Sequence, residues 1–358
     1  MDASPAPVLV LFGPTASGKT NVLLRLLGDS GIFGRPAEVV SADSMQVYRG
    51  MDIGTAKPSA RERERLPHHL IDIRDPGEQF NAGDFVRLAR EAIAGIARRG
   101  AFPAVCGGTG FYLKNLILGL PESPPADEGI RAALKGELQE KGTAALMEEL
   151  ARSDPVSAGR IHLNDTYRLL RALEVLRLSG RPLSSFGVSG RGGRDSHGGT
   201  VQPSVACTED TEKNEEFTPH CRYLVVGISR PREELYRRID ARCAVMFEQG
   251  LPEEVRRLHD MGYTPRDPGL RAIGYREFFV QDEDGSYRLS HDISGVQALV
   301  AQNSRRYAKR QITFFASLPG VQWLEAGDDD AETAERLREI IERKSLTQRR
   351  GDAEDAEF

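Results

Sequence analysis

Gly13-Pro14-Thr15-Ala16-Ser17-Gly18-Lys19-Thr20 follows the apolar run Val8-Leu9-Val10-Leu11-Phe12 and precedes Val22-Leu23-Leu24-Arg25-Leu26-Leu27. The first flank has the length of a buried strand and the second reads as a helix. The eight residues therefore sit in the context that a G-x-x-x-x-G-K-[ST] pattern needs. Its glycines let the backbone curl so that successive N–H groups point inward. The helix N-terminus adds partial positive charge and Lys19 a full one. Thr20 is placed to hold Mg²⁺ through its hydroxyl. Residues 13–20 thus form a P-loop, a site for a polyphosphate or diphosphate, without revealing which ester enters it.

The chain has 358 residues, enough for one to three domains with a sizeable core. A net charge of −5 argues against a protein that coats nucleic acid indiscriminately, yet it allows a local basic face. Two such groupings stand out: Arg168, Arg171, Arg177 and Arg181, and Arg305, Arg306, Lys309 and Arg310. Taken alone, each reads better as a solvated helix face. Cys106, Cys207, Cys221 and Cys243 are widely spaced, with no C-x-x-C pair to suggest zinc or a disulfide framework. No apolar run approaches a membrane span, and the first residues show no basic region ahead of an apolar one. A monomer in a reducing cytoplasm is the expectation.

Going outward from the loop, Glu38-Val39-Val40-Ser41 reads as a second strand ending at Asp43. An acid just past the carboxyl end of a parallel strand faces the same crevice as the glycine loop. Asp43 is accordingly a candidate for metal binding or proton abstraction, or else the cap of an Asx turn. Lys57 lies in a loop and reads as exposed. Leu70-Ile71-Asp72-Ile73 reads as a third strand, Asn81–Arg99 as a helix, and Pro103-Ala104-Val105-Cys106 as a fourth strand entering Gly107-Gly108-Thr109-Gly110. A further helix follows from Phe111. Strands alternating with helices predict an α/β fold with a P-loop parallel-sheet core over residues 1–120.

From about residue 121 to 183 only helical patterns appear, which predicts an inserted all-helical subdomain. Residues 184–219 lack periodicity and read as a flexible loop. A returning strand at Cys221–Ile228 opens the second part of the core, residues 220–344. It includes a helix from Arg232 that carries Arg238 and Arg242 four residues apart, a long helix Ile293–Phe315, and an edge strand near Trp323. Residues 345–358 read as a disordered charged tail.

These stretches resemble the tRNA dimethylallyltransferases, also called isopentenyl-tRNA transferases, over roughly residues 7–325. The shared motifs are GPTASGKT at 13–20, SADSMQVYRGMDIGTAKP at 41–58, HHLIDIRDP at 68–76 and GGTGFYLKNL at 107–116. They continue with DPVSAGRIHLNDTYRLLRALEV at 154–175, RIDARC at 238–243, LRAIGYRE at 270–277 and YAKRQITFF at 307–315. The glycine loop is shared by many families, whereas the 41–58 stretch is far more specific. The loop at 184–219 is longer than the family pattern.

The resemblance implies transfer of the dimethylallyl group from dimethylallyl diphosphate to N6 of the adenosine immediately 3′ of the anticodon, with diphosphate leaving and Mg²⁺ as cofactor. It implies Asp43 as general base, Thr109 near the acceptor base and Arg242 on the diphosphate. It assigns tRNA contact to Asp43, Ser44, Met45 and Gln46; to Tyr167, Arg168, Leu169, Leu170 and Arg171; to Arg271, Ala272, Ile273, Gly274, Tyr275 and Arg276; and to Arg131. The helical insertion would grip the anticodon stem-loop. Two other readings of the loop stand beside this one: a small-molecule kinase using ATP, and a non-catalytic RNA-binding nucleotide switch. No N-K-x-D guanine-reading motif supports the latter.

Overall fold

The computed structural model describes residues 7–29, 31–120, 122–186, 222–327 and 329–354. The chain divides into two compact units, Met1–Ile117 with Lys213–Phe358, and Leu118–Glu212.

In the first unit, β1 (Pro7–Phe12) leads through residues 13–18 into α1 (Lys19–Leu27), followed by β2 (Ala37–Ala42), α2 (Ala60–Arg65), β3 (His68–His69), α3 (Ala82–Arg98), β4 (Phe102–Gly107) and α4 (Gly110–Leu118). All the strands named so far join one sheet with two later strands, β5 (Arg222–Ser229) and β8 (Gln322–Glu325), in the order β3-β2-β4-β1-β5-β8 with every pairing parallel. β1 is central: Leu9 lies opposite Ala104 on one side and Leu224 on the other. A strand covered on both faces has no solvent side, so Val8 to Phe12 form a continuous apolar run and are 0 % exposed. Because the strands run parallel, the loops after β1, β2 and β4 all emerge at one edge of the sheet, where ligands of such sheets bind.

The second unit holds α5 (Glu128–Ser153), α6 (Pro155–Ala158) and α7 (Thr166–Ser179). Gly142 (φ 77°, ψ 168°) breaks α5 into two helical halves. Leu134, Leu146, Leu150, Leu169, Ala172 and Leu173 form its core. The Asp165 side chain caps α7 by accepting from the Arg168 amide, and Gly180 ends it in the left-handed region.

The chain returns to the first unit with β5 (Arg222–Ser229), α8 (Arg232–Glu248), α9 (Leu251–Asp260), the antiparallel pair β6 (Phe279–Gln281) and β7 (Tyr287–Leu289), α10 (Ile293–Phe315), β8 (Gln322–Glu325) and α11 (Asp330–Glu354). α1 and α11 bury Val22, Leu23, Leu26, Leu27, Leu337 and Ile341 against the sheet in one core. A second core gathers Tyr48, Met51, Leu235, Ile239, Val255, Tyr275, Phe278 and Val300 around α8 to α10.

Three expectations need correction. The third strand is His68–His69 rather than Leu70–Ile73, because Leu70 (φ 62°) and Asp72 (φ 57°) turn the backbone left-handed. Lys57 is not exposed: its side chain is 2 % accessible and its ammonium donates to Tyr48 O (2.8 Å) and binds Asp52 and Asp72. Helix runs on through 345–354, where a frayed tail is expected, while 355–358 lie outside the described residues. The β6–β7 pair has no counterpart in the sequence reading. Of the loop expected at 184–219, residues 187–219 also lie outside the described residues.

Candidate active site

The loop after β1 is tightly wound. Ala16 (φ 62°) and Gly18 (φ 95°) are left-handed, and a Cβ on Gly13 would stand 2.8 Å from Ser17 Oγ and 2.9 Å from the Ile228 carbonyl. Lys19 folds back over this turn, donating to Gly13 O (2.9 Å), Pro14 O (2.8 Å) and Ser17 Oγ (3.4 Å). Burial lowers the Lys19 ammonium from 10.5 to about 8; Cys106 and Asp43 oppose that shift and Arg242 adds to it. Cys106 itself is pushed up to about 11 by burial, so it remains a neutral thiol at neutral pH.

Three arginines converge on the same turn. Arg230, at the end of β5, donates to Ser17 O (3.0 Å), Arg238 to Ala16 O (3.0 Å) and Arg242 to Thr15 Oγ1 (3.2 Å). The four-residue spacing of Arg238 and Arg242 puts both on one face of α8. Arg230 is also braced by Glu234 (2.6 Å) and by Asp330 (3.3 Å) at the start of α11. Burial lowers the Arg242 guanidinium below its ordinary value, with the negative charge of Asp43 as the main opposing influence. Asp43 therefore acts electrostatically on two of the cations at this turn, Lys19 and Arg242.

Asp43 Oδ1 accepts from the Met45 (2.8 Å) and Gln46 (3.3 Å) amides. The Asx turn that the sequence offers at Asp43 is thus formed. Its Oδ2 has no hydrogen bond among the described residues. Thr109, in the loop after β4, accepts from the Ser44 amide (2.9 Å) and donates to Ser44 Oγ (3.2 Å), fastening that loop to the Asp43 segment. Gln46 continues the frame, accepting from Ser41 Oγ (3.0 Å) and donating to the Ala56 carbonyl (3.3 Å). Among the described residues, no group of three or more His, Cys, Asp or Glu could hold a metal by itself.

The residues assigned to tRNA contact separate into exposed and structural ones. In the second unit Tyr167 is 72 % exposed and Arg168 is exposed beside Asp165. Leu169, by contrast, is in the core, and Leu170 is half-buried. Arg131 and Arg171 both hold Glu174, which is fully buried, at 3.0 and 2.9 Å. Burial disfavours the Glu174 charge, but bonds from Arg171, the Asp127 amide and Arg131 outweigh it and keep the carboxyl below the ordinary carboxylate range. These two arginines are committed to folding, because the carboxylate they neutralise has no access to water.

In the other segment Arg271 and Arg276 are exposed and Ile273 half-buried, whereas Ala272, Gly274 and Tyr275 are buried. Tyr275 donates to Glu254 (2.6 Å), whose carboxylate also accepts the amides of Asp52 (3.0 Å), Ile53 (2.9 Å) and Gly54 (3.2 Å). A Cβ on Gly54 would sit 2.5 Å from the Tyr275 ring. The Tyr275 motif thus anchors the turn at 52–54.

Gln311 of α10 is a site residue absent from the sequence reading. Its Oε1 accepts from the Thr15 amide (2.8 Å) and its Nε2 donates to Gly108 O (2.7 Å). One signal could have found it: it shares the buried face of α10 with Val296, Val300, Ala308 and Phe315, a polar residue in an apolar stripe. One turn earlier, burial raises the Tyr307 phenol to about 12, with Asp43 adding to the shift.

The sequence model of the family described as IPP transferase matches residues 46–318. A tRNA dimethylallyltransferase of Geobacter sulfurreducens is 43 % identical over 90 % of this chain and 93 % of its own length. One from Pelobacter propionicus is 41 % identical over 89 % and 92 %. Among solved structures, the full-length tRNA isopentenylpyrophosphate transferase of Bacillus halodurans superimposes with TM-score 0.59 at 33 % identity, covering 96 % of this chain and 99 % of its own. A eukaryotic dimethylallyltransferase solved acting on tRNA gives TM-score 0.67 at 25 % identity over 90 % and 74 %.

Proposed function

The chain belongs to the IPP transferase family, and on that premise we propose that it transfers the dimethylallyl group of dimethylallyl diphosphate to N6 of the adenosine immediately 3′ of the anticodon in tRNA. The observation that carries this reading is the meeting of one acid with several cations at the carboxyl ends of β1, β2 and β4: Asp43 on one side, Lys19 and Arg242 on the other.

Breaking the allylic C–O bond leaves its electron pair on the diphosphate. Lys19 and Arg242, which rest on Gly13 O and Thr15 Oγ1 of the loop after β1, would stabilise that charge as it grows. On the other side, the N6 amine is a weak nucleophile because its lone pair is delocalised into the ring. As the N–C bond forms, the amine proton passes to the carboxylate of Asp43. Thr109, fastened to Ser44, would orient the acceptor base. The base must leave its stack to arrive there, at a cost of a few kcal/mol recovered in contacts.

The donor set suits a magnesium ion held mainly by substrate. Thr20 offers a hydroxyl at the start of α1, and with no acidic cluster in the described residues the remaining ligands would be diphosphate oxygens and water. When bound, the ion would neutralise charge on the leaving group. The enzyme acts on the anticodon stem-loop as a monomer in the cytoplasm, with Tyr167, Arg168, Arg271 and Arg276 as exposed contacts.

The deciding experiment incubates the protein with tRNA and either dimethylallyl diphosphate or ATP, followed by mass analysis of the tRNA nucleosides. The reading requires a prenylated adenosine and released diphosphate with the first donor only. Consumption of ATP with unmodified tRNA would establish the kinase reading in its place.

Two further results are expected. Lys19 must be protonated to receive the donor, and its ammonium in the free protein titrates at about 8. The kcat/KM for dimethylallyl diphosphate should therefore fall about tenfold per pH unit above that value, since this ratio reports the free enzyme. A flat profile to pH 10 would show that Lys19 is not needed in charged form. Second, Arg168→Ala should lower the salt slope of tRNA binding by about one with an unchanged melting temperature. Arg171→Ala should instead destabilise the fold by about 3 kcal/mol, read as a lower melting temperature. The reverse assignment of the two effects would place Arg171 in the interface.

A further inference from the structure

We propose that Gln311 is a positioning residue that fixes the spacing between the donor-phosphate loop and the acceptor threonine, Thr109. It rests on the prenyl-transfer reading. The side chain is 5 % exposed and lies against two different loops, one after β1 and one after β4. Its carbonyl oxygen accepts from Thr15 N at 2.8 Å, and its amide nitrogen donates to Gly108 O at 2.7 Å. A single planar amide thus spans from the turn that cradles phosphate to the residue immediately before Thr109.

The space around it is closed. A Cβ on Gly108 would fall 2.6 Å from Gln311 Nε2, so a side chain at 108 would push the Gln311 amide out of its place between the two loops. Gly108 has no left-handed φ, so the glycine there answers to the strut and not to the backbone. On the far side, Thr15 is held through its hydroxyl by Arg242 at 3.2 Å, which leaves Gln311 pressing against a fixed point. Thr109 in turn is held by Ser44. Beyond the β1–β4 pairing that ends at Phe12 and Gly107, and beside the Tyr307 hydroxyl on Gly108 O at 3.5 Å, Gln311 is the side chain that joins the donor cradle to the acceptor loop.

Transfer needs the N6 lone pair and the allylic carbon in line at near-contact distance. Removal of the strut lets the two loops drift without removing any group that touches either substrate. A misplacement of about 1 Å is enough to slow such a step by roughly 10²-fold.

The test is a double-mutant cycle between Gln311→Met, which keeps the volume and removes both hydrogen bonds, and Thr109→Ala. Single-turnover rates are measured at saturating tRNA and dimethylallyl diphosphate, and binding of inorganic diphosphate is titrated separately. Gln311→Met should slow transfer by about 10²-fold with nearly unchanged diphosphate affinity. In the Thr109→Ala background the same substitution should have little further effect, because residues acting through one another are not additive. Gly108→Ala reaches the strut from its other end and should reproduce the slowing even if Gln311→Met does not fold. The proposal is overturned by multiplicative losses in the cycle, by a diphosphate affinity that falls as far as the rate, or by a Gly108→Ala protein of wild-type rate. Failure of the wild-type protein to prenylate tRNA would instead remove the underlying reading.

Discussion

Asp43→Asn is expected to lower the rate of dimethylallyl transfer by about 10²–10⁴-fold while tRNA affinity stays close to wild type. The choice of asparagine follows from the geometry. Asp43 Oδ1 caps its own loop by accepting from the Met45 and Gln46 amides at 2.8 and 3.3 Å. Asparagine keeps that acceptor, so Ser44 stays in reach of Thr109 and the loop retains its shape. What it loses is the carboxylate oxygen that can receive the N6 proton. Alanine would remove the cap as well, at about 1 kcal/mol, and would mix a folding effect with the chemical one. Single-turnover rates at saturating tRNA, set beside a filter-binding isotherm, separate the two quantities. Equal losses of rate and affinity would reduce Asp43 to a binding residue.

How much of this site could be read from the chain depends on whether the chemistry is local. The glycine loop was legible because its function is encoded in eight consecutive residues with a strand before and a helix after. Asp43 was legible by position, since a parallel strand delivers its next residue to the ligand edge. The helix Ile293–Phe315 has the same limits in structure and sequence, its apolar stripe being unambiguous. What escaped were the long-range hydrogen bonds. Lys57 looked exposed because lysines in loops usually are; only the fold brings Asp72 to neutralise it. Arg131 and Arg171 looked free for RNA because their partner, Glu174, reads on α7 as an ordinary surface acid until Leu169, Ala172 and Leu173 bury its face. The third strand was misplaced for a different reason: Leu70-Ile71-Asp72-Ile73 alternates like a strand, but left-handed turns at Leu70 and Asp72 carry no signal in residues that seldom adopt them.

Arg242→Gln carries the second large effect, an expected loss of about 10²–10³-fold in kcat/KM for dimethylallyl diphosphate. The shorter glutamine no longer reaches Thr15 Oγ1, which Arg242 reaches at 3.2 Å, but the Thr15 amide still donates to Gln311 at 2.8 Å, so the loop keeps one tether while the charge is lost. That charge is held in a buried place against the cost of desolvation, a position of little use unless an anion arrives to match it. Removing it has a second consequence. The positive charge of Arg242 is one of the influences that depress the Lys19 ammonium toward about 8. Without it Lys19 should hold its proton to higher pH, and the alkaline fall in kcat/KM should move upward in the variant even as the rate drops. A structural perturbation of the loop would lower the rate without moving that limb. An unshifted limb in Arg242→Gln would mean that the two cations do not share one anion site, and the diphosphate would then have to be placed without Arg242.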